Sequence, residues 1–193
     1  MIRTADTDDL GFIRDLQRRF ARAIGYIPPA ATAREVEWGH VFHANLNDDD
    51  AGFLLMQPAL SGQRTTAAII QAAVRMDAQR QHVGLALVEH VVAKAKRAGS
   101  TIVQAVCRED LEAVHFWEAA GFRAVAMKPG GLSEGKNVII FRRAIYVGAD
   151  LSGLYVPAIR RGPAGKFCKA EDEPRVTLVG GGPLCGLGTG LKR

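Results

Sequence analysis

Apolar positions along the first two thirds of the chain recur with two alternating periods, one near 3.6 residues and one of 2, which lay out a mixed α/β chain. Ile2-Arg3-Thr4 reads as a short strand. Leu10, Ile13, Leu16, Phe20 and Ile24 then recur at helical spacing behind Thr7, a residue suited to an N-cap, and Gly25 closes the segment. Tyr26-Ile27-Pro28-Pro29 reads as a rigid extended connector, because each proline fixes its own φ and restricts the residue before it. A short helix is expected over 32–38. Val41 to Ala44 and Gly52 to Met56 flank the polar run 45–50, the pattern of an antiparallel hairpin. The next strand, 67–76, is apolar on both faces and is expected at the centre of a sheet.

The polar stretch Asp77 to His82 leads into a helix over 84–98, with Leu85, Val88, Val91, Val92 and Ala95 on one face and Gly99 as its stop. A strand over 101–107, a helix over 111–120 closed by Gly121, and strands over 123–127 and 137–144 follow. Past Tyr146 the periodicity disappears. Ten of the 21 glycines and four of the eight prolines fall in the last 47 residues, and glycine loses the most backbone entropy on ordering. The expectation is one domain over residues 1–146 and a Gly/Pro-rich, basic, poorly ordered extension over 147–193. The glycine runs at 180–182 and 186–190 lack the Gly-Lys-Ser/Thr of a phosphate loop.

Bulk properties narrow the class. A chain of 193 residues with 48% hydrophobic content can bury one sizeable core. Its longest apolar runs fall short of a membrane span, and Met1 to Asp6 lacks an apolar signal core, so a cytoplasmic location without a membrane partner is expected. Cys107, Cys168 and Cys185 form no CxxC pair, so neither a metal site nor a disulfide framework is expected. The formal charge of +5 is concentrated at the end of the chain, where seven Lys/Arg face four acids beyond Tyr146. The body is nearly balanced, which suits a solvated surface better than a nucleic-acid-binding face.

Candidate chemistry lies between the apolar strand and the next helix, in Arg80-Gln81-His82-Val83-Gly84-Leu85-Ala86-Leu87. Small residues at 84 and 86 let a ligand approach the backbone, and free N–H groups at a helix start favour an anion such as a diphosphate. An ordinary strand-to-helix turn has the same composition. A second segment adds to the first: Gln81-x-x-Gly84-x-Ala86 resembles the Arg/Gln-x-x-Gly-x-Gly/Ala pyrophosphate loop of the GNAT acyltransferases. Asp110-x-x-Ala113-x-x-Phe116-Trp117-x-x-x-Gly121-Phe122 resembles that family's Asn-x-x-Ala-x-x-Phe/Leu-Tyr-x-x-x-Gly-Phe segment. The resemblance spans residues 2–145. It implies a mostly antiparallel, splayed central sheet flanked by helices.

The same resemblance implies acetyl-CoA, or another acyl-CoA, as cosubstrate and an amine as acceptor. By position, the backbone groups of Val74 and Met76 would pair with the pantetheine arm as an added strand does. The amides of Gln81, His82, Val83, Gly84, Leu85, Ala86 and Leu87 would hold the pyrophosphate. Asp110 stands where the family commonly has an asparagine near the pantetheine; an aspartate there lacks the amide donor, and capping a helix that begins at Leu111 is its competing role.

Most of the family transfers the acyl group directly, with a base taking the amine's proton and an acid protonating the thiolate. Here Trp117 stands where a tyrosine acid is common, and its indole N–H does not supply a proton at neutral pH. Ala105 stands where the ribosomal-protein N-terminal acetyltransferases carry a glutamate. No catalytic residue is therefore assigned. His43, Gln71, Gln104 and His115 are the polar candidates, each with a structural role as its alternative, and Tyr26 lies in the region that forms the acceptor wall in the family. Three readings stay open: N-acylation of a small-molecule or protein amine, acylation of a nucleic acid, and CoA binding without catalysis.

Overall fold

The computed structural model describes residues 1–59, 65–129 and 136–149, together with the backbone of 159–161 and 167–169. In chain order the elements are β1 (Ile2–Thr4), α1 (Leu10–Arg19), α2 (Ala21–Ile24), α3 (Pro29–Glu37), β2 (Val41–Leu46), β3 (Asp49–Gln57) and β4 (Thr66–Val74). There follow α4 (Val83–Arg97), β5 (Ile102–Arg108), α5 (Ala113–Ala119), β6 (Arg123–Pro129), β7 (Asn137–Ala144), β8 (Ile159–Arg161) and β9 (Phe167–Lys169). Seven strands form one sheet in the order β1-β2-β3-β4-β5-β7-β6, and β8 pairs with β9 apart from it. The hydrophobic pattern predicts this mixed α/β order, and the resemblance implies the helix-flanked sheet. No helix among the described residues is long and apolar enough to cross a membrane. The chain divides into two compact units, Met1–Val103 and Gln104–Arg193.

In the first unit β1 to β4 are antiparallel throughout. The N-cap is Asp6, not Thr7: Asp6 Oδ1 accepts from the Asp8 amide at 2.9 Å, and Asp9 Oδ2 accepts from the Asp6 amide at 2.8 Å. A short 3-10 turn then leads into α1. The single helix expected up to Ile24 breaks at Phe20, whose φ of −106° and ψ of 15° redirect the chain while Phe20 and Ile24 both pack on the same core. Helix α3 starts at Pro29, earlier than expected, because a proline at the first helical position gives up only an N–H that would have no intrahelical partner. The β2–β3 turn is tighter than the polar run 45–50 suggests. Asn47 and Asp48 sit at φ 51° and 67°, the two positive values a two-residue turn of type I′ requires, so the flanking polar residues belong to the strands.

Each face of this sheet is covered. Val41, Phe53, Leu55 and Ala73 pack with Ile13, Leu16 and Val36 from α1 and α3. Alternating with them, Phe42 and Leu54 are buried as well, and α4 buries Leu87, Val88, Val91 and Ala95. Phe42 meets the His90 ring of α4 at 5.2 Å. At about 1.5–3 kcal/mol per buried large apolar side chain, these two layers hold the sheet rigid. Two bulges interrupt the ladders. Ala51 is extra between the pairs Ala44↔Gly52 and Asn45↔Asp50, and Ile70 is extra between Leu55↔Gln71 and Met56↔Ile69.

In the second unit β6 and β7 are antiparallel, with Val125 extra between Ala124↔Phe141 and Ala126↔Ile140. Helix α5 is shorter than the expected 111–120, since residues 109–112 form turns instead, and Gly121 at φ 80° ends it. Glu109 and Asn137 hold the end of β5 to the start of β7: Asn137 O accepts from the Glu109 amide, and Glu109 Oε1 accepts from the Asn137 amide, both at 3.0 Å. Residues 147–149 and strands β8 and β9 fall within the expected extension; the rest of it, with both glycine runs, lies outside the described residues.

Candidate functional site

The first unit presents an edge and a helix start close together in sequence. The Arg75 amide donates to Ala51 O on β3 at 2.8 Å, and since successive residues of a strand point their backbone groups to opposite edges, those of Val74 face away from β3. Val74 O accepts the side-chain amide of Gln79 at 3.1 Å. Met76 follows in a 3-10 turn and is largely exposed, as are Ile70 at the bulge and Leu85 at the helix start to a lesser degree.

The loop that follows is shaped by its backbone. Arg80 and His82 both adopt φ 62°, a left-handed conformation costing a non-glycine residue about 1–2 kcal/mol. Gln81 anchors the loop by donating to Asp77 O at 2.8 Å. His82 is the N-cap of α4 without a side-chain cap bond, and its carbonyl accepts from Ala86 at 2.9 Å, the first bond of the helix. The amides of Val83, Gly84 and Leu85 therefore have no intrahelical acceptor, whereas those of Ala86 and Leu87 lie within the ladder. Three open N–H groups at the positive end of a 15-residue helix, with Gly84 among them, suit a diphosphate. That donor set fits the pyrophosphate of an acyl-CoA. Of the seven residues from Gln81 to Leu87, Ala86 and Leu87 are thus the two whose amides the helix ladder takes.

The acceptor candidates are placed differently. Tyr26 is 77% exposed. Gln71 is buried on β4, where its Oε1 accepts from Gln17 Nε2 at 2.7 Å and its Nε2 donates to Gly25 O at 2.9 Å and Ile24 O at 3.3 Å. His43 has no exposed surface. Its Nε2 stands 3.1 Å from Asp50 Oδ1 and its Nδ1 3.6 Å from Asp9 Oδ1, both out of line for hydrogen bonds, and Phe12 meets its ring edge-on at 5.4 Å. Asp9 is forked by Arg3 with two contacts of 2.7 Å. Burial pushes the Asp9 carboxyl up, but the Arg3 fork, the Asp6 amide and nearby His43 outweigh it and hold it below its ordinary range. His43 thus lies on β2, two strands from β4, beside the Arg3–Asp9 ion pair.

In the second unit Asp110 does not cap α5, whose N-cap is Glu112. Its carboxylate instead receives Arg108 in a fork at 2.9 and 2.8 Å, with Lys136 Nζ at 3.6 Å. The Arg108 guanidinium holds the Asp110 carboxyl down at about 2. Trp117 is 7% exposed and stacks edge-on against Phe116 and Phe122 at 5.1 and 5.2 Å. Burial pushes the neighbouring Cys107 thiol up to about 11, although a hydrogen bond from Trp117 pulls the other way. Gln104 Oε1 accepts from Arg142 Nε at 3.0 Å, Ala105 is buried, and His115 is an exposed residue of α5 with Nδ1 3.7 Å from Glu118.

Gln17, Thr32 and Arg142 are also buried polar residues, none of them among the candidates above. Gln17 was visible as a polar residue one turn from Ile13 on an apolar helix face, a place where a long amide is kept only with partners. The partners themselves, 15 and 54 residues away, left no local signal.

Comparison with known proteins bears on both units. Residues 11–122 match the acetyltransferase (GNAT) family. No curated protein matches the chain. Among solved structures, Ard1 from Thermoplasma volcanium is similar with a TM-score of 0.66 at 23% identity, over 76% of this chain and 97% of its own. The yncA protein from Salmonella typhimurium, solved with its cofactor acetyl-CoA, gives 0.66 at 16% identity, over 80% and 98%. The ribosomal-protein-S18-alanine N-acetyltransferase from Escherichia coli gives 0.62 at 22% identity, over 80% and 98%. At these identities the structures speak for the fold. The family match takes in more than half of the chain, from α1 through Phe122, and on it the chain belongs to the acetyltransferase (GNAT) family and is an acyl-CoA-dependent N-acyltransferase.

Proposed function

We propose that the protein transfers an acetyl group from acetyl-CoA directly to an amine, on a small molecule or a protein, with no acyl-enzyme intermediate. The observation that carries this reading is the set of open amides at Val83, Gly84 and Leu85, which follows the edge of β4 that faces away from β3. The amides receive the pyrophosphate, with Gln81 and His82 shaping the loop, and the backbone of Val74 and Met76 pairs with the pantetheine arm. The exposed side chain of Ile70 at the bulge offers apolar surface near the acyl end.

Direct transfer is supported by Cys107. A nucleophilic relay needs a thiolate, and a buried thiol at about 11 carries almost none at neutral pH. In the reaction proposed, the amine lone pair attacks the thioester carbonyl, the nitrogen gives up a proton to solvent, the C–S bond breaks, and CoA leaves as a thiolate. A thiol of pKa near ~8.5 is a tolerable leaving group without an acid, so solvent protonates it and Trp117 need not. Asp110, held ionised by Arg108 at about 2, is too weak a base to take the amine proton and instead orients Arg108. Tyr26 lines the acceptor side, and Gln71 holds the backbone beside it through Gly25 O.

The test is to incubate the protein with acetyl-CoA and a panel of amines, peptides and DNA while following thiol release and product mass. Release that depends on an amine, with one acetyl added to it, is the expected result. Acetyl-CoA binding with no release for any acceptor would point to a CoA-binding protein without transfer, and release only with DNA would move the acceptor class to nucleic acid.

A further inference from the structure

Gln17 on α1, Thr32 on α3 and Gln71 on β4 form one buried chain of hydrogen bonds, each side chain less than a tenth exposed. Its direction is fixed from one end. The carbonyls of Ile24 and Gly25 can only accept, so Gln71 must turn its NH2 to them. Its Oε1 then faces Gln17, which must present its own NH2, at 2.7 Å. The Thr32 hydroxyl closes the chain, 3.1 Å from Gln17 Nε2 and 3.3 Å from Gln17 Oε1. Such bonds strengthen one another in a dry interior, and a half-satisfied chain is costly.

What the chain holds is the corner between α2 and α3. Gly25 at φ 79° has nothing within 4 Å of an ideal Cβ, and Tyr26, Pro28 and Pro29 are exposed. Ile24 and Ile27 pack on the core at either side, and between them the carbonyls of Ile24 and Gly25 are held by the two bonds from Gln71. Gln71 directly follows the bulged Ile70 on β4, so they seat Gly25 and Tyr26 beside the point where the ladder is broken.

We propose that Gln71, backed by Gln17 and Thr32, is a positioning residue for the acceptor: it holds the Gly25–Tyr26 corner against the β4 bulge and so sets one wall of the acceptor site. The proposal rests on the direct-transfer reading, in which the acyl group is presented at that bulge. It separates acceptor binding from cofactor binding, since the amides at Val83 to Leu85 lie outside the hydrogen-bonded chain.

The test compares wild type with Gln71→Met, which keeps the volume and removes both donors, and with Thr32→Val, which removes only the far hydroxyl. At saturating acetyl-CoA the acceptor KM is expected to rise about tenfold in Gln71→Met and about twofold to threefold in Thr32→Val, with kcat changed less than about threefold. The acetyl-CoA Kd by calorimetry is expected to stay within about twofold in both. An unchanged acceptor KM in a folded variant overturns the proposal, as does an acetyl-CoA Kd that worsens in step with KM. Should Gln71→Met fail to fold, the Thr32→Val comparison decides by the same criteria. A wild type that binds acetyl-CoA and acetylates no amine overturns the direct-transfer reading, an outcome visible before any variant is measured.

Discussion

An ideal Cβ on Gly52 would stand 2.8 Å from the carbonyl oxygen of Ala73 on the neighbouring strand, and 3.2 Å from the Val74 Cα. Both near atoms are backbone, so no flexible side chain can give way, and β3 and β4 must part where β4 leads to Val74 and Met76. Gly52→Ala is therefore expected to lower stability by about 1–3 kcal/mol and to weaken acetyl-CoA binding with it. Chemical denaturation and calorimetry on the same variant check both. A variant as stable and as tight as wild type would show that the strand spacing here does not depend on the glycine.

Cys107 and Trp117 separate direct transfer from a covalent relay. Cys107→Ala is expected to keep kcat within about threefold of wild type, because a thiol at about 11 is not a nucleophile at neutral pH. Trp117→Phe is expected to lower stability by about 1–3 kcal/mol through lost packing and the lost N–H, with no new ionisation in the pH–rate profile. Intact-protein mass after mixing with acetyl-CoA should show no added acetyl group. A stoichiometric acetyl adduct that disappears in Cys107→Ala would establish the relay instead.

The Arg3–Asp9 fork predicts an acid limit to stability. Asp9 is held below its ordinary range in the fold, so it adds stability that is present above the unfolded value near ~4 and is lost as pH falls through the folded value. The denaturation midpoint should stay level from about pH 7 to about pH 5 as far as this group is concerned, then decline below about pH 4. Asp9→Asn should lower the neutral-pH midpoint and shallow that decline. An equally steep decline in Asp9→Asn would assign the acid limit to other carboxylates.

Much of this fold is legible one residue at a time. Val88, Val91 and Ala95 mark the buried face of α4, though Leu85, expected with them, is exposed; Gly99 ends the helix, and Asn137 to Ala144 appears as a strand with the bounds found. Those features are local, fixed by periods of a few residues and by the conformational freedom of glycine. The loop before α4 was legible for the same reason. What escaped depends on partners far along the chain. The start of α3 at Pro29 looked like a connector, because a proline inside a helix and a proline opening one differ only in context. Asp110 looked like a cap, yet Arg108 two residues earlier competes for its carboxylate and wins. The meeting of Gln71 with Gly25 across 46 residues, and the bulge at Ile70, follow from strand register, which periodicity alone does not specify.

The central claim is that the open amides of Val83, Gly84 and Leu85 bind the pyrophosphate of an acyl-CoA. Calorimetric titration of acetyl-CoA into wild type and Gly84→Glu, with unfolding midpoints measured in parallel, tests it most directly. Saturable binding is expected in wild type, with a loss of at least about 100-fold in Gly84→Glu at a similar midpoint, because the new carboxylate stands where the diphosphate must lie. Equal affinities in two folded proteins, or no binding by wild type, would contradict it.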